Sequence, residues 1–473
     1  MATLQSKSDN AVFTEGSTMR HVLTMTGTGA IGLLSIFLVD VVNLFYISLL
    51  GQQELAAAIG YASTIMFFTV SVAIGFSIAA TAVTAKAIGA GEDDAARQNA
   101  GASIIFMIVM SLILVALTFP ALPFLLDLLG AKGETHQLSL EFMQIVILSL
   151  PLMCVGMCFA ALLRAKGDAK RAMYVTLSAG GAALILDPLF IFGLGLGIHG
   201  AAIAIIFIRL VLTLVGLHGA VIVHRMVGKP DLKWLRKTAH PFLIIAVPAV
   251  LTQIATPLGN AYVTASIAEF GDDAVAGWAI VGRLIPVSFA AVFALSGAVG
   301  PILSQNLGAQ KFDRVNRAMR DSFVFTLLYS LAVWAILALS WEPIAALFNA
   351  KNDAMALIRF FCLFVAGSFV FNGALFVANA AFNNLGFPVY STMFNWGRAT
   401  LGVIPFVWYG KAWGPEGVLA GWGLGGIVFG IVAVIVCFRS IRKLPERAEL
   451  ELQSLRTVPT SNSPFTSGRG AAS

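Results

Sequence analysis

Apolar stretches long enough to cross a bilayer, roughly 20 residues each, recur along the whole chain. They predict twelve transmembrane helices near 22–50, 54–86, 99–126, 137–163, 172–195, 199–223, 241–268, 274–304, 318–347, 355–382, 388–410 and 414–438. Polar stretches punctuate this pattern in only a few places. Residues 1–21 read as a cytoplasmic N-terminal segment, 224–240 as a basic, Pro-containing linker, and 441–473 as a cytoplasmic disordered tail rich in Ser, Thr, Pro and Arg. The polar first 18 residues are not followed by a short apolar core with a small-residue cleavage site, so no cleaved signal peptide is expected.

The apolar pattern repeats itself. GQQELAAAIGYAS (51–63) reads against FGDDAVAGWAIVGR (270–283), with Gly51 and Gly271 220 positions apart. Gly89 pairs with Gly308 and Gly167 with Gly386 at an offset of 219, and Gly200 with Gly417 at 217. An offset that persists through four landmarks implies two six-helix lobes, an N-lobe at 22–223 and a C-lobe at 241–440. Six is even, so the lobes run parallel, related by an axis along the membrane normal. A cavity between two such lobes suits alternating access.

Composition agrees. Only 11% of the 473 residues are charged and 58% are hydrophobic, with a mean hydropathy of +0.87, against about 25% charged in a soluble domain. The net charge of +6 is concentrated in one set of loops. Arg164, Lys166, Lys170 and Arg171, then Arg225 to Lys237, then Lys311 to Arg320, and Arg439, Arg442 and Lys443 fall on one side. Only Lys132, Lys351 and Lys411 fall on the other. This asymmetry predicts both termini in the cytoplasm and a multi-pass protein of the bacterial inner membrane. It offers no platform for nucleic acid. Cys154, Cys158, Cys362 and Cys437 all lie in apolar spans. Cys154 and Cys158 sit one turn apart, either as metal ligands or as small buried hydrophobes.

Charges inside spans are costly, about 2.5–3.5 kcal/mol at the helix centre, and so mark candidate sites. Asp40 lies deep in the first span and Asp187 deep in the fifth, with Asn43 on the same helix face as Asp40. Pro188 frees a backbone carbonyl one turn before it. The counterpart of Asp40 in the C-lobe is Asn260, and that of Asp187 falls near Ile404. The acids are thus confined to one lobe. They bind a coupling ion or substrate, or they form a structural ion pair. Arg209 shares their lobe and is a candidate partner for either. Arg283 and Arg398 also fall near mid-span, either capping helix carbonyls or touching substrate. Asn372, Asn379 and Asn383 share a face of the tenth span, either bonding between helices or lining a cavity.

Several of these segments resemble the MATE (multidrug and toxic compound extrusion) transporters. LVDVVNLFYISLLGQQELAAAIG (38–60) is similar to their first-span signature, and LRAKGDAKRAM (163–173) to the segment between their fourth and fifth helices. LDPLFIFGLGLGIHGAAIA (186–204) is close to their most diagnostic stretch. GNAYV through VGRL (259–284) and NNLGFP with RATLGVIP (383–405) fit their second lobe. The resemblance implies an all-α, V-shaped pair of six-helix lobes and cation-coupled antiport of amphiphilic or cationic small molecules such as drugs, by a monomer without a cofactor. Acids at Asp40 and Asp187 resemble the DinF-like branch and imply proton coupling. Ala183, Ile205 and Arg209 stand where family members often carry Asn, Thr and a neutral polar residue, so the oxygen ligands that sodium requires are thinned. The first span has no proline, and a bend there would use Gly27, Gly29 or Gly32. A flippase for a lipid-linked intermediate is the alternative, which the arginines support. The sequence shows no nucleophile motif or catalytic carboxylate pair that would suggest an enzyme.

Overall fold

The computed structural model describes residues 11–49 and 53–457, without the side chains at 40, 41, 43–45, 47–49, 53, 54, 56 and 451–457, which include Asp40 and Asn43. Every predicted span is found as a helix or as a helix broken near its middle. In the N-lobe α1 (Thr18–Leu49), α2 (Gln53–Gly89) and α3 (Asp93–Leu129) are continuous. The fourth span is α4 (Gly133–Ile147) and α5 (Leu150–Lys166), bent by 51° at their junction. Pro151, which lacks a backbone N–H, sits in the first turn after that bend. The fifth is α6 (Ala169–Pro188) running into a π-helical turn, Leu189–Gly193, and the sixth is α7 (Gly197–Leu217) with a π-helical end, His218–Val223.

In the C-lobe α8 (Leu232–Ala268) is the seventh span, and α9 (Asp272–Ser288) with α10 (Ala290–Gly308) the eighth. The ninth is α11 (Phe312–Leu339), followed by the short α12 (Trp341–Leu347). The tenth joins α13 (Asn352–Leu363) to α14 (Phe369–Asn384). The eleventh joins α15 (Pro388–Gly397) to α16 (Ile404–Gly410) through a π-helical turn, Arg398–Gly402. The twelfth is α17 (Gly414–Arg442), and α18 (Leu444–Thr457) follows it.

Two segment boundaries differ from the sequence reading. The linker shortens to 224–231, because the Asp231 side chain caps α8 by accepting the Trp234 N–H at 2.7 Å. The basic residues Lys233, Arg236 and Lys237 therefore belong to a helix. The tail expected to be disordered from 441 opens instead with α18, whose Leu, Glu, Arg and Ala are strong helix formers. The Ser, Thr and Pro that suggested disorder cluster in 458–473, outside the described residues. Finally, α1 runs without a break through Gly27, Gly29 and Gly32. Gly29 instead lets Ala294 approach, since a Cβ there would lie 3.2 Å from the Ala294 Cβ.

The repeat landmarks do matching jobs in the two lobes. Gly167 and Gly386 end the fourth and tenth spans at φ +93° and +88°, a left-handed geometry that favours glycine. Gly89 and Gly308 end the second and eighth spans where the lobes cross. A Cβ on Gly89 would lie 1.9 Å from the Gln305 carbonyl oxygen, and one on Gly308 2.0 Å from that of Lys86. The lobes meet where α2 packs on α8 and α10, and α1 on α10. Their close backbone approaches, Gly29 to Ala294, Gly75 to Val250, Gly89 to Gln305 and Gly308 to Lys86, lie in the middle of the spans or toward the end that carries the basic loops. The space between the lobes is therefore closed at this basic end.

Candidate functional site

A cavity of about 1290 Å³ lies between the lobes, bounded by α1, α2, α5, α6 and α7 on one side and α8, α9, α10 and α14 on the other. It exceeds the roughly 300–1,000 Å³ of a site for a drug-sized ligand. The two walls obey the repeat. Met157, Ala160 and Arg164 of α5 line it, and so do Phe376, Asn379 and Asn383 of α14, each 219 positions later. Thr176 and its counterpart Asn395 both line it as well. The chemistry of the walls differs. On the N-lobe side Met153, Met157 and Met173 sit among the charged Arg164, Asp187 and Arg209, while Gln253, Thr256, Asn379, Asn383, Asn384 and Asn395 give the C-lobe side amides and a hydroxyl.

Asp187 is on the cavity wall, 3% exposed, where α6 gives way to the π-helical turn. Pro188 cannot donate to the helix, and the wider turn that follows re-aims the chain. Arg209 also lines the cavity, and its guanidinium donates to the Val146 carbonyl at 2.9 Å and the Ser149 hydroxyl at 2.8 Å. These partners are neutral oxygens at the bend of the fourth span, where the Val146 carbonyl also accepts the Ser149 N–H at 3.1 Å and the Ser149 hydroxyl at 2.7 Å. Asp40 and Asn43 ride on the continuous α1, with their side chains outside the described residues.

The remaining sequence candidates divide. Arg283 is exposed on the cavity wall. Arg398 is 5% exposed and does not line the cavity; it donates to the Thr256 hydroxyl at 3.0 Å and so backs a residue that does. Asn379 lines the cavity with its Oδ1 lacking a hydrogen-bond partner, and Asn383 accepts from the Ser391 hydroxyl at 2.8 Å. Asn372 shares their helix but lies outside the cavity against Gly426, where a Cβ would meet its Nδ2 at 2.5 Å. Asn260 is half-buried off the cavity, so the C-lobe counterpart of Asp40 is not a wall residue.

Sequence reasoning used Arg164 only to orient the chain, yet it is a wall residue near the closed end. Its repeat counterpart, Asn383, was a candidate, so applying the 219 offset in reverse finds it. Arg164 and Arg283 have neither a hydrogen bond nor an ion pair among the side-chain contacts of the described residues. Among those residues no three His, Cys, Asp or Glu side chains gather as metal ligands, and Cys154 and Cys158 are free and buried in the apolar core of α5.

Outside the membrane at the basic end, Asp168 caps α6. Burial pushes its carboxyl up, but hydrogen bonds from the Arg171 backbone at 3.0 Å, from His224 at 2.8 Å and from the Arg171 side chain outweigh this and hold it below the ordinary carboxylate value. A depressed folded pKa adds stability above the unfolded value of about 3.9 and loses it as pH falls through the folded value. Asp168→Asn keeps the cap but loses the charge-assisted bonds from Arg171 and His224, so it is expected to cost about 1 kcal/mol at neutral pH and to flatten the acid limb of a thermal-unfolding profile. An acid limb unchanged from the parent would contradict that role.

A family model described as MatE matches residues 30–189 and 248–408, one block in each lobe. The FAD transporter of Shewanella oneidensis is 30% identical over 428 residues, covering 89% of this chain and 94% of that protein. The multidrug export protein MepA of Staphylococcus aureus is 24% identical over 358 residues, 73% of this chain and 77% of that protein. The solved structure of the Vibrio cholerae MATE transporter VcmN in the bent form superimposes with a TM-score of 0.85 at 25% identity, covering 90% of this chain and 98% of that one.

Proposed function

Because this chain belongs to the MatE family of membrane transporters, we propose that it exports bulky amphiphilic small molecules by alternating access, and that the molecules it takes carry negative charge. One observation carries the charge assignment. Arg164, Arg209 and Arg283 line the cavity, and Asp187 is the acid among the described lining residues. Even with Asp40 counted among them, three cations exceed two acids. The dinucleotide in the name of the Shewanella relative belongs to this chemical class, an aromatic body with anionic groups. The methionines of the N-lobe wall suit the ring system, and the arginines and C-lobe amides suit its polar remainder.

In this reading the basic end faces the cytoplasm, the cavity faces outward, and the chain works as a monomer. Asp187 is the proton site, with Asp40 its partner acid. The sign of the coupling depends on the substrate. A proton on Asp187 adds positive charge to the cavity, so a proton and an anion strengthen each other's binding, and proton uptake does not expel an anion. The inside-negative potential does, at about 2.3 kcal/mol per charge per 100 mV. For an organic cation the linkage reverses, and proton uptake at Asp187 drives release outward. The place of Asp187 on the wall favours this second reading, proton-coupled antiport of cationic drugs. A lipid-linked pyrophosphate shares the charge of the first class.

Proteoliposomes with separately imposed pH and potential gradients test the assignment. FAD efflux should follow the potential, with ethidium and lipid pyrophosphate moved poorly. Ethidium exchange driven by the pH gradient, lost in Asp187→Asn, with FAD left in place, would overturn the anionic reading in favour of the cationic one. Lipid pyrophosphate movement without FAD movement would favour the flippase.

A further inference from the structure

The residues just before α1 form a strap across the closed end. Val12–Thr14 make a single 3-10 turn, and Phe13 is 1% exposed. The Phe13 N–H donates to Gln305 Oε1 at 2.9 Å, and its carbonyl accepts from Asn306 Nδ2 at 3.1 Å and Arg314 Nη2 at 2.9 Å. The Thr14 carbonyl accepts from Lys311 Nζ at 3.0 Å, and the Gly16 carbonyl from Arg314 Nη1 at 2.9 Å. All these partners belong to the C-lobe, and α1, which follows the strap, packs both on α6 of its own lobe and on α10 of the C-lobe. Val12 and Phe13 also touch the N-lobe turn at Gly167, where a Cβ would meet them at 3.2 and 3.3 Å.

Gln305 joins the three parts. Its carbonyl takes the strap, and its Nε2 donates to the Ala165 carbonyl of the N-lobe at 2.7 Å, while its own helix belongs to the C-lobe. It is fully buried, so parting the lobes here strips a buried amide of the Ala165 carbonyl, and of the Phe13 N–H as well when the strap leaves with α1. Pseudo-symmetry clarifies the role of the strap. The linker, which precedes the first span of the C-lobe, docks beside the start of α3, with the Gly228 N–H donating to the Arg97 carbonyl at 2.8 Å. The strap precedes the first span of the N-lobe and docks beside the start of α11, which begins 219 positions after α3. The linker is a covalent tie between lobes and cannot leave. The strap is its non-covalent counterpart and can.

We propose that Gln305 and the Val12–Gly16 strap form a releasable clasp that holds the basic end shut, with Gln305 the positioning residue that couples strap, N-lobe and C-lobe. Opening the cavity at this end requires the clasp to let go, so its strength sets the balance between the two access states. This rests on alternating access as proposed above, but its test needs no substrate. A Ser296→Cys probe on the cavity wall reports, through a membrane-impermeant maleimide, from which side the cavity is reached. In Gln305→Leu, and in Phe13→Ala, labelling from the basic side should rise at least tenfold and labelling from the opposite side should fall. A second arm does not depend on those variants folding. The Thr18 hydroxyl of α1 donates to the Asp321 carboxylate of α11, so a Thr18→Cys, Asp321→Cys pair should, when oxidised, abolish basic-side labelling and transport, and recover both on reduction. Unchanged sidedness in the two single variants would overturn the clasp. So would basic-side labelling that persists through the oxidised crosslink. A failure of transport alone, with sidedness behaving as stated, would count against the substrate reading and not against the clasp.

Discussion

Arg283→Glu is expected to reduce apparent affinity for an anionic substrate by at least 30-fold, while Arg283→Lys retains most of it. The side chain is exposed on the cavity wall and has no neutralising partner among the described residues. It stands 11 residues into α9, and Arg209 stands 12 residues into α7. Both helices begin at the end opposite the basic loops. At 1.5 Å per residue the two Cα atoms thus sit about 16–18 Å along their helices from that end, on opposite lobes. A bound substrate excludes water from this charge, and removing one partner of such a buried pair costs about 2–5 kcal/mol; a carboxylate in its place adds repulsion. Because Arg283 bonds to no other described residue, its replacement should leave the thermal-unfolding midpoint within error of the parent. Counterflow of FAD and ethidium in the same vesicles reads the effect. Equal FAD affinity in Arg283→Glu and the parent would show that the arginines do not select the substrate.

Gly89→Val should prevent closure of the basic end. A Cβ at Gly89 would lie 1.9 Å from the Gln305 carbonyl oxygen and 2.5 Å from its carbon, so backbone must move, and both chains at that crossing are helical. Overpacking of this kind costs about 1–3 kcal/mol. Here the lobes can relieve it by separating, which is the motion of the transport cycle. The expected result is a cavity reached from the basic side, with transport lost and each lobe intact. Sidedness of Ser296→Cys labelling and circular dichroism check this; a variant still labelled from the opposite side alone would show that the crossing absorbs the strain locally. Gly308, its repeat partner, should behave alike, since a Cβ there would lie 2.0 Å from the Lys86 carbonyl oxygen.

Much of the architecture was legible in the sequence because a bilayer imposes it. Backbone polar groups in hydrocarbon must be satisfied within each segment, so long apolar runs become helices. The repeat was legible because it rests on glycines, whose replacement the geometry forbids at Gly167 and Gly386 and at the Gly89–Gly308 crossing. Asp187 was legible as a candidate because an acid is rare in an apolar run and a proline follows it, while its place on the cavity wall came from the structure. Arg209 was found, but its neutral partners were not, because they arise from the bend at Leu148–Ser149, a tertiary feature of the fourth span. Arg164 reads as a loop charge because it lies three residues before Gly167, where a turn and a wall are indistinguishable by position alone.

By itself the sequence determined the number of crossings, the two-lobe duplication, the charged end and the rarity of ionisable groups within the membrane. Which face of each helix meets the cavity was decided only by the tertiary structure. Lipid is as apolar as a protein core, so the outward and inward faces of a span carry the same residues and leave no periodic trace. Asn372 and Asn379 lie on one helix, yet one packs beside Gly426 and the other lines the cavity. The seal at the basic end likewise joins positions nearly 300 residues apart, Phe13 and Gln305. Their pairing exists only once two lobes have folded and met.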